Sequence, residues 1–352
     1  MGYIAFFIFS SFFCENMIYY KYIVEGDKMD IIKNLGICYR GDYINQGSNI
    51  EKCKKASELD TSYTGFVIRN DGKGNTQDNL SSYYNGNIIL HLPTINTNQT
   101  NLKNIKDIVI SHLSNNIKLL VIDASTLLAD TFDWSTSEEQ QNYLKNMANG
   151  IASLSEFNID IAIENTAKEK NDLLFGKSIS NMSDLLVYTR NALVEKYNYT
   201  RDQANSRVGI SLNLRKLKKV NNIIELNTWF KVFYNDIKCI KLSDIEKNLN
   251  DIDNLLDLVI STNIDVPILL ETKSELEKIV NEYKKFKFIV NKKINHEVLN
   301  FDGYQEIADS TYNEYNYNLA SSQSGFTSAI IVIMIILTLI IAVLMVLVKL
   351  RG

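Results

Sequence analysis

Two stretches of this sequence place polar side chains where chemistry is commonly done. The runs Ile161-Ala162-Ile163-Glu164-Asn165-Thr166-Ala167 and Ser206-Arg207-Val208-Gly209-Ile210-Ser211-Leu212-Asn213-Leu214-Arg215-Lys216-Leu217 each read as a buried strand ending in a polar side chain. In a parallel α/β barrel, the residue at the carboxyl end of a strand points into the mouth where catalytic groups sit. Carboxylates and imidazoles at such positions are the side chains that bind zinc-like ions or move protons.

Those strand ends need a scaffold, and the same pattern recurs along the chain. Apolar runs of strand length occupy residues 35–39, 64–69, 87–92, 118–123, 160–164, 208–213, 237–242 and 267–271. Ile88-Ile89-Leu90, Leu119-Leu120-Val121-Ile122 and Ile268-Leu269-Leu270 are the near-continuous apolar runs of strands buried on both faces. Segments 50–59, 138–154, 182–197, 245–260 and 274–283 carry helical spacing between them. Eight such units predict a (β/α)8 TIM barrel, with a doubly wound open sheet as the alternative, since strand and helix alternation does not itself close a barrel.

Composition narrows the function classes. A net charge of -4 over 352 residues gives no general basic footprint for nucleic acid, so any such binding must come from a local patch. Cys14, Cys38, Cys53 and Cys239 form no CxxC pair, which indicates neither a zinc knuckle nor a disulfide framework.

Residues 329–348 carry no charge. At ~1.5 Å per residue that stretch matches the ~30 Å hydrocarbon core of a bilayer, and it predicts a C-terminal transmembrane helix. The expected organisation is an apolar N-terminal extension (1–28), a barrel (29–290), a stalk rich in Tyr, Asn and Ser (291–328), a membrane span (329–348) and a short basic tail (349–352). Orientation has two readings. Lys349 and Arg351 beyond the span favour a cytoplasmic tail and an exterior barrel, with residues 4–13 as an entry signal. A functional start at Met29 instead gives a cytosolic, tail-anchored barrel. We favour the latter, and Asn98 and Asn198 would be glycosylation acceptors only in the former.

From about Leu35 to Thr272 the chain resembles the endonuclease IV family of AP endonucleases, which are xylose-isomerase-like barrels. The resemblance rests on the strand containing His91, the Leu119-Leu120 strand, Ile163-Glu164-Asn165-Thr166-Ala167, Ser206-Arg207-Val208-Gly209, Ile240-Lys241-Leu242-Ser243-Asp244 and Ile268-Leu269-Leu270-Glu271-Thr272, taken in that order. It implies a mouth holding a zinc cluster that cuts the DNA backbone beside abasic sites.

The resemblance assigns metal-ligand positions to His91, Glu164 and Glu271, and to Asp123 where the family has a His. Glu164 and Glu271 would be the catalytic carboxylates of an active member. Other positions depart from the pattern: Asn213 replaces an Asp, while Lys216 and Lys241 each replace a His. An ammonium has no lone pair to give a metal. Asp251 and Asp253 are the weaker match to a later ligand pair. A mouth that keeps its carboxylates but loses its ions needs positive charge from elsewhere, and Lys216 and Lys241 supply it. The expectation is an internal ion-pair network with no cofactor, with zinc bound only if the site is active.

Features that read DNA are thin. The loop Leu92-Pro93-Thr94-Ile95-Asn96 after His91 carries no aromatic wedge, and Asn70 to Asn75 replaces an Arg-bearing loop of the family. Arg215, Lys218 and Lys219, with Lys216, form the one basic cluster that could meet phosphate. The favoured expectation is a membrane-anchored, non-catalytic barrel acting as a binding or structural component with an unknown protein partner. The alternative is a divergent zinc-dependent AP endonuclease or phosphodiesterase of base excision repair. Truncation after Ser324 should release the barrel from membranes; its persistence in the membrane fraction after carbonate washing would show a second anchor in residues 4–13.

Overall fold

The computed structural model describes residues 31–304 apart from 41–45, 70–74, 76, 96–98, 125–136, 167–175, 177 and 218–221. Eight parallel strands form a closed barrel in chain order. They are β1 Leu35–Arg40, β2 Tyr63–Val67, β3 Asn87–His91, β4 Ile117–Asp123, β5 Asp160–Glu164, β6 Val208–Asn213, β7 Ile237–Leu242 and β8 Ile268–Thr272. Because β1 pairs with β2 on one side and with β8 on the other, the sheet has no edge and the open-sheet alternative falls. Each predicted strand coincides with one of these, β5, β6 and β7 to the residue and the others within a residue or two at their ends.

The helices are α1 Asn49–Glu58, α2 Gln99–His112, α3 Ser137–Ser153, α4 Ile179–Tyr197, α5 Arg201–Arg207, α6 Asn222–Phe233, α7 Leu249–Thr262 and α8 Leu276–Ile294. Sequence periodicity missed α2, α5 and α6. It also ended α8 too early, at the Lys284-Lys285 pair. Ile279, Val280, Tyr283, Phe286, Ile289 and Val290 are all buried, so the apolar stripe continues through the lysines, which lie off it. Leu299 and Phe301 also pack against the core. The first part of the segment assigned to a stalk therefore lies against the barrel.

Two apolar layers hold the strands. One large cluster fills the space between strands and helices. A separate small cluster, Cys38, Ile89, Leu119, Val121, Ala162, Cys239 and Leu269, fills the barrel itself. Strand side chains alternate with period two, so the residues two further along each strand also face inward. Those are Arg40, His91, Val121, Asp123, Glu164, Lys241 and Glu271. The apolar plug thus gives way to a polar layer at the carboxyl end, with Val121 belonging to the plug. Register shifts lie just below this layer, between Ile88 and Ile89 and between Ile210 and Ser211, and such bulges re-aim the side chains that follow.

Among the described residues, no helix is long and apolar enough to cross a membrane. The predicted span 329–348, the extension 1–28 and Asn98 lie outside the described residues. Asn198 is exposed and closes α4 in the left-handed conformation that Asn tolerates, with φ of 58°.

Gly209 opens the close approach of β6 to the turn that leads into β7. A Cβ there would lie 2.1 Å from the carbonyl oxygen of Asp236. Gly209→Ala should cost ~1–3 kcal/mol through the backbone shift it forces, read as a lower urea midpoint at unchanged slope.

Candidate functional site

Glu164, fully buried at the end of β5, is the centre of the mouth. Its Oε2 lies 2.7 Å from Lys241 Nζ on β7, and its Oε1 lies 2.7 Å from Lys216 Nζ on the short turn Leu214–Lys216. Ser211 Oγ donates to Oε2 at 3.1 Å and Asn213 Nδ2 donates to Oε1 at 3.1 Å. Both carboxylate oxygens are therefore engaged twice. Lys216 also donates to Asp123 at the end of β4.

His91 completes this half of the mouth. Lys241 Nζ stands 2.8 Å from His91 Nδ1. An ammonium can only donate, so Nδ1 is assigned as the acceptor and the ring proton of the neutral imidazole falls on Nε2. Nε2 is 3.4 Å from Asp123 Oδ2, yet it makes no hydrogen bond of good geometry among the described residues.

The other half is built on Glu271 at the end of β8. Arg40 Nη1 donates to its Oε1 at 3.1 Å, and Asn213 Nδ2 donates to its Oε2 at 3.0 Å. Asn213 thereby ties the two carboxylates together. It is pinned in turn by Asn165, whose side chain accepts from the Asn213 amide at 2.6 Å and donates to the Asn213 carbonyl at 3.0 Å.

Electrostatics follow from these contacts. Burial opposes the charge on Glu164, but Lys216 and Lys241 outweigh it and hold the carboxyl well below its usual range. Burial likewise opposes Asp123, and Lys216 with His91 outweighs it, so this carboxyl too is held well below its usual range. Burial would push both lysines down; Glu164 raises Lys241, and Asp123 with Glu164 raises Lys216, so both ammoniums end above the ordinary lysine range. Beneath them, burial pushes the Cys38 and Cys239 thiols up to about 12. These thiols stay protonated at neutral pH and act as small apolar filler.

The residues fit a resident metal poorly. His91, Asp123 and Glu164 each bring a ligand atom within 4.8 Å of the others and form a group that could hold an ion. Each of the three is nonetheless in contact with an ammonium. Arg40, Lys216 and Lys241 face Asp123, Glu164 and Glu271, three positive groups against three negative ones. Among the described residues these charges cancel, which leaves no net charge with which to attract a divalent cation.

Beside the mouth, the turn after β6, the loop after β7 and the start of α7 enclose a cavity of about 330 Å³. Leu214, Leu217, Leu226, Leu242 and Ile252 give it an apolar floor, and Arg215, Asp244, Lys247 and Asp251 stand around it. Arg215 is thus placed at this cavity, and Asp251 lines it as well. Asp253 is paired with Lys293 of α8 and does not join the mouth. Lys218 and Lys219 lie outside the described residues. Leu92, Pro93 and Ile95 are buried, so the loop after His91 is packed down.

Sequence reasoning missed Arg40, Ser211 and the clamp made by Asn165. Period-two alternation carries the signal for the first two, since Arg40 follows inward Cys38 and Ser211 precedes inward Asn213 by two residues.

No protein-family model and no curated protein sequence matches the chain. Among solved structures, a D-tagatose 3-epimerase-like protein shares 14% identity at a TM-score of 0.51, with 74% of this chain and 99% of that chain covered. An AP endonuclease of family 2 from Brucella melitensis shares 10% at 0.51, covering 71% and 98%. The IOLI protein, solved with a zinc atom, shares 13% at 0.50, covering 74% and 98%. At such identities the likeness is one of fold.

Two outcomes test the network. Lys241→Ala should destabilise the barrel by ~3 kcal/mol, because it leaves Glu164 short of a buried counter-charge, measured by urea denaturation. The contribution of these pairs to stability should also have a plateau in pH. Glu164 and Asp123 have lowered values, so their contribution is complete above their unfolded values of ~4.3 and ~3.9 and is lost as pH falls through the lower folded values. Lys216 and Lys241 have raised values, so theirs is complete below the unfolded value of ~10.4 and is lost as pH rises through the higher folded ones. In the wild type the melting temperature should also fall above the unfolded thiol value of ~8.5, because burial pushes the Cys38 and Cys239 thiols up, and below the unfolded imidazole value of ~6.5, because burial holds His112 down. The mouth is therefore read from the difference in stability between wild type and Lys241→Ala, which should hold from about pH 5 to about pH 10 and shrink outside that window. A difference that collapses between pH 5 and 7 would contradict this account.

Proposed function

We propose that this protein is a non-catalytic, endonuclease IV-like barrel that works as a binding or structural component and is held at a membrane by residues 329–348. The single observation that carries the proposal is the position of Lys241. Its ammonium, fully buried, lies 2.7 Å from Glu164 and 2.8 Å from His91. It therefore occupies the side chains that a hydrolytic metal centre would use. Metal-assisted hydrolysis requires an ion to activate water or polarise phosphate, and a charge-balanced mouth with engaged carboxylates supports neither role.

A binding role needs a surface other than the closed mouth. The cavity of about 330 Å³ at the carboxyl end of β6 and β7 supplies one, within the size range of small-ligand sites. Its apolar floor and mixed-charge rim suit a small ligand or a protein side chain better than a nucleic-acid backbone, which asks for a stripe of positive charge. We therefore place a protein partner ahead of DNA.

The second reading is a divergent zinc-dependent AP endonuclease or phosphodiesterase. It draws on the grouping of His91, Asp123 and Glu164. Elemental analysis of the purified wild-type protein separates the two. We expect essentially no zinc, together with no nicking of an abasic-site duplex and no change in melting temperature on adding a chelator. Two or more zinc ions per chain with chelator-sensitive cleavage would overturn the non-catalytic assignment.

A further inference from the structure

Three features meet at the cavity beside the mouth. The first is Ser243, directly after β7. It lines the cavity and is only 8% exposed, yet its hydroxyl has no hydrogen-bond partner among the described residues. A buried hydroxyl is costly to leave unpaired, so this one marks a place where a polar group belongs. The second is the start of α7. Asn248 at its N-cap makes no side-chain bond to the first turn. Its amide donates instead to the carbonyls of Ser243 at 2.9 Å and Asp244 at 3.1 Å. The partial positive charge of the helix terminus is therefore not met by the usual cap. Those two bonds also hold the loop after β7 in one shape, with Asp244 left-handed at a φ of 51°. The third feature is the rim, where Arg215 and Lys247 stand with Asp244 and Asp251, two positive groups and two negative ones above an apolar floor.

A ligand of this cavity has to answer every part of that lining. An inorganic anion would suit Arg215, Lys247 and the start of α7, but it would face two carboxylates and leave the floor uncovered. A simple cation meets the reverse conflict. A wholly apolar molecule would leave the Ser243 hydroxyl unpaired. We propose that the cavity binds a free α-amino acid with a branched aliphatic or aromatic side chain. The proposal deepens, and rests on, the reading of this cavity as the binding surface of a non-catalytic barrel. The ligand carboxylate takes the Ser243 hydroxyl and the amide groups that open α7, with Arg215 and Lys247 beside them. The ligand ammonium takes Asp244, and Asp251 adds negative potential. The side chain covers the leucine floor, where its burial drives binding. A volume of about 330 Å³ lies at the lower end of the range for small-ligand sites, which suits one molecule of this size. A peptide carboxyl terminus would offer no ammonium to Asp244, and a peptide amino terminus no carboxylate to Ser243.

The test is titration calorimetry on the full chain in lipid nanodiscs, with empty nanodiscs as the blank, because detergent tails would compete for the apolar floor. Leucine and phenylalanine are compared with lysine, glutamate, N-acetyl-leucine and leucinamide. Leucine or phenylalanine should bind at one site per chain, and lysine and glutamate should not. Removing either charge, as in N-acetyl-leucine or leucinamide, should weaken binding roughly 10-fold, the scale of one charge-assisted hydrogen bond. Asp244→Asn keeps a side chain that tolerates the left-handed backbone. It should weaken leucine roughly 10-fold while leaving N-acetyl-leucine unchanged, since that ligand has no ammonium to lose. Ser243→Ala should weaken both. The blocked ligands test the wild type directly, so the proposal does not depend on any variant folding. Absence of binding by leucine and phenylalanine at millimolar concentration would overturn it. So would equal binding of lysine or glutamate, or N-acetyl-leucine binding as tightly as leucine, which would point to a peptide terminus. Zinc content and nicking of an abasic-site duplex are measured on the same preparation. Zinc with cleavage would sink the non-catalytic reading, whereas a zinc-free, inert barrel that ignores every amino acid would sink this proposal alone.

Discussion

A lysine ammonium buried inside a barrel, with no exposure at all, constrains everything around it. Withdrawing such a charge from water costs several kcal/mol even after relaxation, and only close opposite charge with full hydrogen bonding offsets that. Lys241 finds both in Glu164 and His91. The requirement then spreads outward. Glu164 can serve Lys241 only if its second oxygen is also satisfied, which draws in Lys216 and Asn213. Asn213 reaches Glu271, and Glu271 reaches Arg40.

This chain of contacts joins side chains from β1, β3, β4, β5, β6, β7 and β8. The mouth therefore forms a polar layer across the closed sheet, above the apolar plug. Glu164, Asn213 and Lys241 at its centre each contact two or more other members, so the loss of one strands a buried partner. Partial occupation by metal would do the same. An ion entering beside Lys216 or Lys241 would meet like charge at short range, while its ligands would still be serving the lysines.

The barrel was legible in the sequence because strands buried on both faces must be apolar along their length, so β5, β6 and β7 are marked out to the residue. Helices were less legible. In α8 the lysines interrupt a simple apolar count but not the helical stripe, and α2 and α6 were overlooked although each carries buried apolar residues, such as Ile105 and Val109 in α2 and Trp229 and Phe230 in α6. At the site, Glu164 and Asn213 stood out as polar endings to apolar runs, while Lys241 and Glu271 were picked out by the family resemblance. Arg40 did not, because a basic residue after a short strand looks like the first residue of a solvated loop. The pairing itself cannot be read from one dimension: Lys241 is 150 positions from His91, and only the closed register brings β3 and β7 to one mouth.

The two lysines also differ in what they do. Lys216 sits on a short turn with 23% side-chain exposure, where water and dissolved ions can compete for the carboxylates it serves. Lys241 is sealed between strands and sets the imidazole tautomer as well as the charge. The outer lysine is therefore in reach of solvent, whereas the inner one is enclosed on every side. The turn Leu214–Lys216 that carries this lysine also supplies Leu214 and Arg215 to the neighbouring cavity, and Leu217, which lines it too, follows directly. The ion pairs of the mouth and the lining of the cavity therefore share one short segment of chain.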